Sequence, residues 1–239
     1  MNHNNRRTSK QSARHLPQIA CTAVLTAIML PLAHAHHRVQ PVSPDSPLYV
    51  SPAEGRLFRI GYAIGTQQYV CKSSVDSLSG LTIYEWTLFG PQATLFKDEG
   101  LTRQNMTHFQ SSNPLETDPS GLSVGGTPRP TWQDSKDTSA VWAQPPIPRA
   151  QVAATCTING VTSPAIALLK LGVDADPLGP TGKLTETTYI QRLSTCGGVM
   201  PSTGCTEAGH AGMKALVPYT ADYLFYTAPE SNEDGGEFE

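Results

Sequence analysis

The sequence lacks a hydrophobic run long enough to cross a membrane as a helix. Its longest apolar stretch, residues 19–32, falls short of the ~20 residues that a membrane-spanning helix needs. Basic charge is also scarce beyond the first 35 residues. Four of the 17 Lys and Arg precede residue 36, which leaves 13 against 20 Asp and Glu, a formal charge of −7. Because nucleic acids and anionic membranes are bound mainly through basic patches, this balance argues against both as partners.

Sequence signatures of catalysis are also missing. There is no phosphate loop, no dinucleotide fingerprint, no pair of catalytic carboxylates and no Cys-x-x-Cys pair of the kind that binds zinc. Gly121-Leu122-Ser123-Val124-Gly125 matches the nucleophile elbow of serine hydrolases. That mechanism needs a strand before the serine and a helix after it, whereas here the flanks are Pro119-Ser120 and Gly126-Thr127-Pro128. We interpret the match as chance.

The amino terminus has the pattern of a signal peptide. Arg6, Arg7, Lys10 and Arg14 precede the apolar run, no acid occurs before residue 36, and Ala33-His34-Ala35 offers small residues where a signal peptidase cuts. We therefore predict a leader over residues 1–35 and a soluble protein that is secreted or periplasmic.

The remaining chain predicts an all-β fold, because no amphipathic helix longer than two turns is apparent. Short strands separated by turn signals indicate a single antiparallel β-sandwich or barrel with long loops. We expect an extended segment at 36–55, a β domain at 56–228, a mobile polar insertion at about 111–130 and an acidic disordered tail at 229–239. Within the β domain, Gly65 is predicted to turn a hairpin, and Gly90-Pro91 to break a strand.

The final strand carries the clearest pattern. From Val217 to Tyr226, alternate positions place Tyr219, Ala221, Tyr223 and Phe225 on one face. This face is predicted to be buried.

Four cysteines follow the predicted leader, and an even number in an exported chain indicates disulfides. Three connectivities are possible. We favour Cys196–Cys205, which closes a short Gly- and Pro-containing loop, together with Cys71–Cys156, which would join distant strands.

Several of these segments together resemble a family of secreted proteins, domain of unknown function 3455 (DUF3455). They are Tyr189-Ile190-Gln191-Arg192-Leu193, Gly197-Gly198, Gly204-Cys205 and Val217–Tyr226, with weaker matches at Tyr69-Val70-Cys71, Trp86, His108 and Pro130-Thr131-Trp132. The resemblance implies the fold and export of one family copy and brings no catalytic residues with it.

Two groups of residues are candidate binding sites, one for copper and one for a polar ligand. If cleavage follows Ala35, the new amino-terminal His36 could chelate copper through its amine and ring, with a third nitrogen from His108 or His210, as in a histidine brace. Alternatively, Asp222 beside Tyr219 and Tyr223, with Arg192 on the preceding strand, could bind a polar ligand such as a sugar; a structural ion pair with packed tyrosines is the simpler interpretation.

Our first functional hypothesis is an exported, non-enzymatic binding or envelope-associated protein, without a cofactor. A copper-binding protein using His36 is the alternative. A third hypothesis is an extracellular hydrolase with His108, Asp222 or His210 as acid–base groups.

Overall fold

Antiparallel strands make up most of the described chain. The computed structural model describes residues 41–112, 128–144, 150–176 and 179–229. The strands are β1 (Arg56–Val75), β2 (Thr82–Phe96), β3 (Gln104–Ser112), β4 (Pro128–Asp134), β5 (Ala140–Ala143), β6 (Ala150–Ile158), β7 (Val161–Ala175), β8 (Thr187–Gly197) and β9 (Lys214–Thr227). One short 3-10 helix, Ala208–His210, precedes β9. None of the helical structure in these ranges has the length and hydrophobicity to span a bilayer.

The sheet closes on itself. Its strand order is β5-β4-β3-β2-β1-β9-β8-β7-β6, and β5 also pairs with β7 through Val141↔Ala175, Trp142↔Asp174 and Ala143↔Val173. Eight strands thus form a closed ring, while β6 continues from β7 as a hairpin. An eight-stranded ring is just wide enough for side chains to fill its interior. The predicted all-β class is confirmed, in its barrel form.

The two ends of the barrel differ. At one end, the β1–β2 and β6–β7 hairpins extend beyond the ring as two arms, and the β8–β9 connection lies between them. We call this the arm end. At the other end, which we call the loop end, lie the connections 97–103 and 135–139 and the described parts of the β7–β8 connection, residues 176 and 179–186.

Two predicted breaks lie inside continuous strands. Gly65 pairs with Ala93 in the middle of β1, and a Cβ at Gly65 would lie 2.2 Å from the Gln92 carbonyl oxygen. This glycine therefore permits close strand approach rather than a turn. Gly90-Pro91 lies within β2, where Phe89 forms a bulge opposite Gln68 and Tyr69. The bulge accommodates the extra residue, so β2 continues through Gly90-Pro91 without a break.

The barrel interior contains the main core. Tyr219, Ala221, Tyr223 and Phe225 are at most 2% exposed, as their alternation along β9 predicted. They pack with side chains from the other strands, among them Leu95, Met106, Trp132, Val141, Leu171 and Ile190. Burial of these large apolar surfaces is the main force that stabilises the ring.

A second core lies on the outer face of β8 and β9. The segment before β1 crosses this face, and Leu48 packs there with Leu193 and Leu224. The buried Gln191 side-chain amide donates to the Leu48 carbonyl, and Lys170 Nζ donates to the Tyr49 carbonyl at 2.7 Å. The described part of the predicted 36–55 segment, from residue 41, is therefore a packed layer with turns.

The disulfides differ from the predicted pairing. The bridges are Cys71–Cys205 and Cys156–Cys196, with Cα–Cα distances of 5.5 and 5.0 Å. The β8–β9 connection folds back along β1, where Gly212 N donates to the Cys71 carbonyl, and this brings Cys205 to Cys71. Cys196 is thereby left beside the β6–β7 arm. The predicted pairs Cys71–Cys156 and Cys196–Cys205 are wrong because sheet register, not loop length, sets which sulfurs meet.

Strands β3 and β4 both extend into the insertion predicted at about 111–130. β3 continues through Ser112, and β4 begins at Pro128. The intervening residues lie outside the described ranges. The same holds for the predicted leader, His36, the serine-elbow motif and the acidic tail from residue 230.

Candidate functional site

Four residues from the sequence hypotheses lie on the inner face of the barrel. His108 of β3 stacks on Trp132 of β4, with ring centroids 4.2 Å apart, and the edge of Tyr223 meets the histidine ring at 5.1 Å. The hydroxyls of Tyr223 and Tyr219 are 3.3 Å apart. Arg192, which pairs with Tyr223 across β8 and β9, completes this interior cluster.

His108 is held neutral. Burial lowers its pKa to about 3; its contact with the Thr131 carbonyl opposes the shift, and the positive charge of Arg192 adds to it. Nδ1 lies 2.8 Å from that carbonyl oxygen, so Nδ1 carries the proton and donates. The neutral ring is a hydrogen-bonding and stacking group at any pH above about 3.

Arg192 is held in position by hydrogen bonds, and Tyr219 is held in its protonated form. The Arg192 guanidinium donates to the Ala167 carbonyl through Nε at 3.0 Å and Nη2 at 2.8 Å. Burial raises the pKa of Tyr219 well above 10, with the neighbouring Tyr223 adding to the effect. The phenol therefore stays protonated and acts as a hydrogen-bonding group rather than as a base.

The arm end closes over this cluster. Gly197 and Gly198 have φ angles of +72° and +76°, and the Tyr69 hydroxyl donates to the Gly198 carbonyl at 2.7 Å. A Cβ at Gly198 would lie 2.9 Å from both Ile166 Cγ2 and Tyr219 Cβ. The interior cluster is therefore packed beneath a glycine strap, with little access for a ligand from this end.

Asp222 does not join these residues. It pairs with Tyr62 and Leu193 across the two neighbouring strands. Because side chains alternate along β9, its carboxylate lies on the outer face, opposite Tyr219 and Tyr223. The predicted polar site is thus divided between the two faces of the strand.

The histidines of the copper hypothesis occupy different environments. His108 is inside the barrel, whereas His210 lies in the exposed β8–β9 connection, where its Nδ1 accepts from Thr206 N at 3.2 Å. Across the described ranges, no group of three or more His, Cys, Asp or Glu could hold a metal ion. The brace depends on His36, which lies outside those ranges, and therefore remains a hypothesis.

An accessible depression lies instead at the loop end. It is an open groove of about 500 Å³ between the start of β1 and the β2–β3 connection, a volume in the range of small-ligand sites. Its walls are formed by Leu57, Phe58, Arg59, Ile60, Tyr62, Lys97, Arg103 and Asn105. Sequence analysis identified none of these residues as functional.

Two β-bulges shape this groove. In β1, Leu57 pairs with Tyr226 and Arg59 with Phe225, which leaves Phe58 as an extra residue. In β3, Gln104 pairs with Phe96 and Met106 with Leu95, which leaves Asn105 as the extra residue. Bulges redirect side chains and are common at barrel rims and beside binding sites. Here both bulged residues line the groove.

Asn105 is the unusual member of the lining. The residue is only 3% exposed, and its Oδ1 and Nδ2 are both buried without a hydrogen-bond partner among the described residues. An unpaired buried polar group costs roughly 1–3 kcal/mol. Asparagine is also depleted in strands, and Asn105-Met106-Thr107 matches the glycosylation sequon, so the sequence carried two signals at this position.

Two of the basic residues of the groove, Arg59 and Arg103, contact carboxylates. Asp134, fully buried, pairs with Arg59 and accepts from Lys136 N at 2.7 Å. Burial favours its neutral form, but these hydrogen bonds outweigh burial and lower its pKa. Asp98 accepts from Thr102 N at 3.1 Å and from Arg103 N at 3.1 Å. Arg59 is therefore held in position, whereas the Arg103 side chain, which is 70% exposed, remains open to solvent.

The family assignment follows from a match over most of this structure. A family model described as Protein of unknown function (DUF3455) matches residues 52–227. The chain belongs to the DUF3455 family. No curated protein and no solved structure matches it. Because the DUF3455 description names no activity, the function must be argued from the groove and the cluster themselves.

Proposed function

We propose that this DUF3455 protein is an exported, non-catalytic binding protein that holds a small polar ligand in the groove at the loop end. The observation that carries the proposal is the groove itself, an open depression lined by basic, aromatic and apolar side chains around the buried and unpaired Asn105 amide. Neither amide atom has accessible surface, so a ligand would pair with Oδ1 and Nδ2, and offset the cost of burying them, only after the Asn105 side chain turned towards the groove. Its two disulfides are consistent with an extracellular setting.

The positions of the acid–base candidates support binding over hydrolysis. His108 lies inside the barrel with a pKa of about 3, Asp222 lies on the outer face of β9, and His210 lies in an exposed connection. A hydrolytic site needs its acid and base around one substrate position. These three groups occupy separate environments.

The test is a binding screen on the whole exported protein. A library of neutral and charged polar metabolites is added, and the Asn105 side-chain amide resonances are followed by NMR. We expect at least one compound to shift these resonances and to raise the melting temperature. Asn105→Leu, which removes the unpaired amide, should abolish the rise in melting temperature and leave the unliganded fold as stable or more so. A ligand that binds Asn105→Leu unchanged would refute the groove as its site.

Association with the cell envelope is a second candidate, which the arms favour. Leu78 at the tip of the β1–β2 arm is 97% exposed, and Val75 and Leu81 beside it are 68% and 66% exposed. Apolar side chains presented on a protruding hairpin are suited to insertion into a lipid surface. We expect the protein to float with phospholipid vesicles and Leu78→Ser/Leu81→Ser to remain at the bottom of the gradient. Equal flotation of the two proteins, or none, would exclude insertion by this arm.

A further inference from the structure

We infer that the arm end docks on the surface of a zwitterionic phospholipid bilayer through the tips of both arms, an inference that rests on the proposed envelope association. The β1–β2 arm does not account for all of the apolar surface at this end. The tip of the β6–β7 arm presents Ile158 and Val161, which are 54% and 67% exposed, and Met200 in the β8–β9 connection is 50% exposed.

Exposed apolar side chains are concentrated at the arm end. Fifteen large hydrophobic residues are exposed in the part of the chain that the structure describes. All but three of them, Leu57, Phe58 and Ile64, lie in the two arms, in the β8–β9 connection or at the adjacent start of β9. One exposed apolar side chain is ordinary, but many gathered in one region indicate an interaction surface.

Charged side chains are scarce in the same region. The β6–β7 hairpin has none from Ala150 to Leu169. In the β1–β2 arm, Lys72 pairs across the strands with Glu85, and Asp76 is the only charged residue between them in the sequence. The loop-end connection 97–103, by contrast, has four charged residues among seven. The barrel is therefore apolar at one end and charged at the other.

The Lys72–Glu85 pair limits how deeply the β1–β2 arm enters a bilayer. Three residues of strand separate Lys72 from Val75, which corresponds to about 10 Å. Amphipathic elements that lie in a membrane interface bury their apolar side roughly 5–10 Å deep. Tyr84, which pairs with Ser73 between the apolar tip and the charged pair, is of a residue type that is enriched at this level. The apolar part of the arm therefore has the length of an interfacial anchor.

The turns at both tips satisfy backbone groups internally. In the β1–β2 turn, Asp76 N donates to the Leu81 carbonyl and Gly80 N donates to the Asp76 carbonyl, both at 2.9 Å. The β6–β7 turn is the two-residue loop Asn159-Gly160, with φ angles of +50° and +78°, a type of turn that continues the strand ladder to its end. Because unpaired backbone groups are costly in apolar surroundings, such turns are suited to contact with lipid.

Residue type and charge favour zwitterionic lipid as the occupant. The exposed apolar side chains at the tips are Leu, Ile and Val, and the energetic centres of protein interfaces favour Trp, Tyr and Arg instead. After residue 35 the chain has 13 Lys and Arg against 20 Asp and Glu, so an anionic surface repels it. The Asp76 carboxylate at one tip is suited to the ammonium group of a zwitterionic headgroup.

The experiment measures flotation of the full exported protein with phosphatidylcholine vesicles over a series of lipid concentrations. We expect Ile158→Ser/Val161→Ser to need about tenfold more lipid than the wild-type protein for half-maximal flotation, because binding scales with the apolar area inserted. Ile64→Ser is the matched control: it removes an aliphatic side chain that is 41% exposed on the barrel wall, and it should float like the wild-type protein. Adding phosphatidylglycerol to the vesicles should weaken flotation at low salt.

The outcomes separate this inference from the function on which it rests. Unchanged flotation of Ile158→Ser/Val161→Ser, with loss in Leu78→Ser/Leu81→Ser, would overturn the two-arm inference and leave insertion by the β1–β2 arm in place. No flotation of the wild-type protein would overturn both and would leave the arm end as a surface for a protein partner. Stronger flotation with phosphatidylglycerol, or an equal loss in Ile64→Ser, would also overturn the inference. Ile158→Thr/Val161→Thr, which keeps the β-branched shape, replaces the serine variant if that variant does not fold.

Discussion

Among the residues that the structure describes, His108 is the one whose environment most limits how the protein tolerates acid. Its ring is stacked on Trp132 and buried against Tyr223, and its pKa is lowered to about 3. In the unfolded chain the same group titrates near 6.5. The unfolded state therefore binds a proton between these two pH values and the folded state does not.

Stability should fall as the pH decreases from about 6.5 towards 3, by about 1.4 kcal/mol per pH unit from this residue. The contribution is fully present above pH 6.5, because the depressed folded pKa favours the neutral form. Urea unfolding followed by tryptophan fluorescence at pH 7, 6 and 5 measures the slope. In His108→Gln, which keeps a polar side chain at the position, the slope should largely disappear.

Equal slopes in the two proteins would contradict this account of His108. The carboxylates with lowered pKa, such as Asp98, Asp134 and Asp137, lose their stabilising effect only at lower pH, as the pH falls below about 4. The range from pH 7 to 5 therefore isolates the histidine.

At the scale of elements, the β8–β9 connection organises the arm end. It is bonded through Cys205 to β1 and begins just after Cys196, which is bonded to β6. The Trp86 indole of β2 also donates to the Thr203 carbonyl at 2.8 Å. Both arms are therefore fastened to one connection.

Peptide mapping of the non-reduced protein should link Cys71 to Cys205 and Cys156 to Cys196. The bridges span sequence separations of 134 and 40 residues. On the loop-entropy model, their removal costs about 5 and 4 kcal/mol respectively. We expect Cys71→Ser/Cys205→Ser to have the lower free energy of unfolding of the two double variants. A Cys71 peptide joined to Cys156 would contradict the structure.

At the scale of the whole molecule, the weakest part of the ring is β5. Only three residue pairs join β5 to each of its neighbours, β4 and β7, whereas fourteen pairs join β1 to β9. Short pairings open with a lower free energy than the full unfolding reaction. The ring should therefore open first at β5.

Hydrogen exchange tests this expectation. Amides of β5 and the facing part of β7, such as Val141 and Val173, should exchange faster than those of Ala63 and Ala221 in the β1–β9 pairing. All four residues are at most 7% exposed, so burial alone does not predict the difference. Uniform protection around the ring would show that it opens only by global unfolding.

Much of the fold could be predicted from the sequence because it depends on local patterns. Alternation along β9 identified the buried face of Tyr219 and Phe225, and the spacing of turn signals indicated an all-β chain. Gly65 was misinterpreted because its role depends on Ala93, 28 positions away. The groove was missed for a similar reason: Asn105 is redirected by a bulge that exists only in the pairing of β2 with β3.

The sequence by itself determined the strand-forming character of the chain, the inner face of β9 and the presence of enough cysteines for two disulfides. Side-chain alternation and cysteine number belong to the chain before it folds. The tertiary structure alone decided which cysteines pair, that the sheet closes through β5 and β7, and that Arg59, Lys97 and Asn105 share one groove. Those outcomes depend on register and closure, which bring together residues that no local pattern connects.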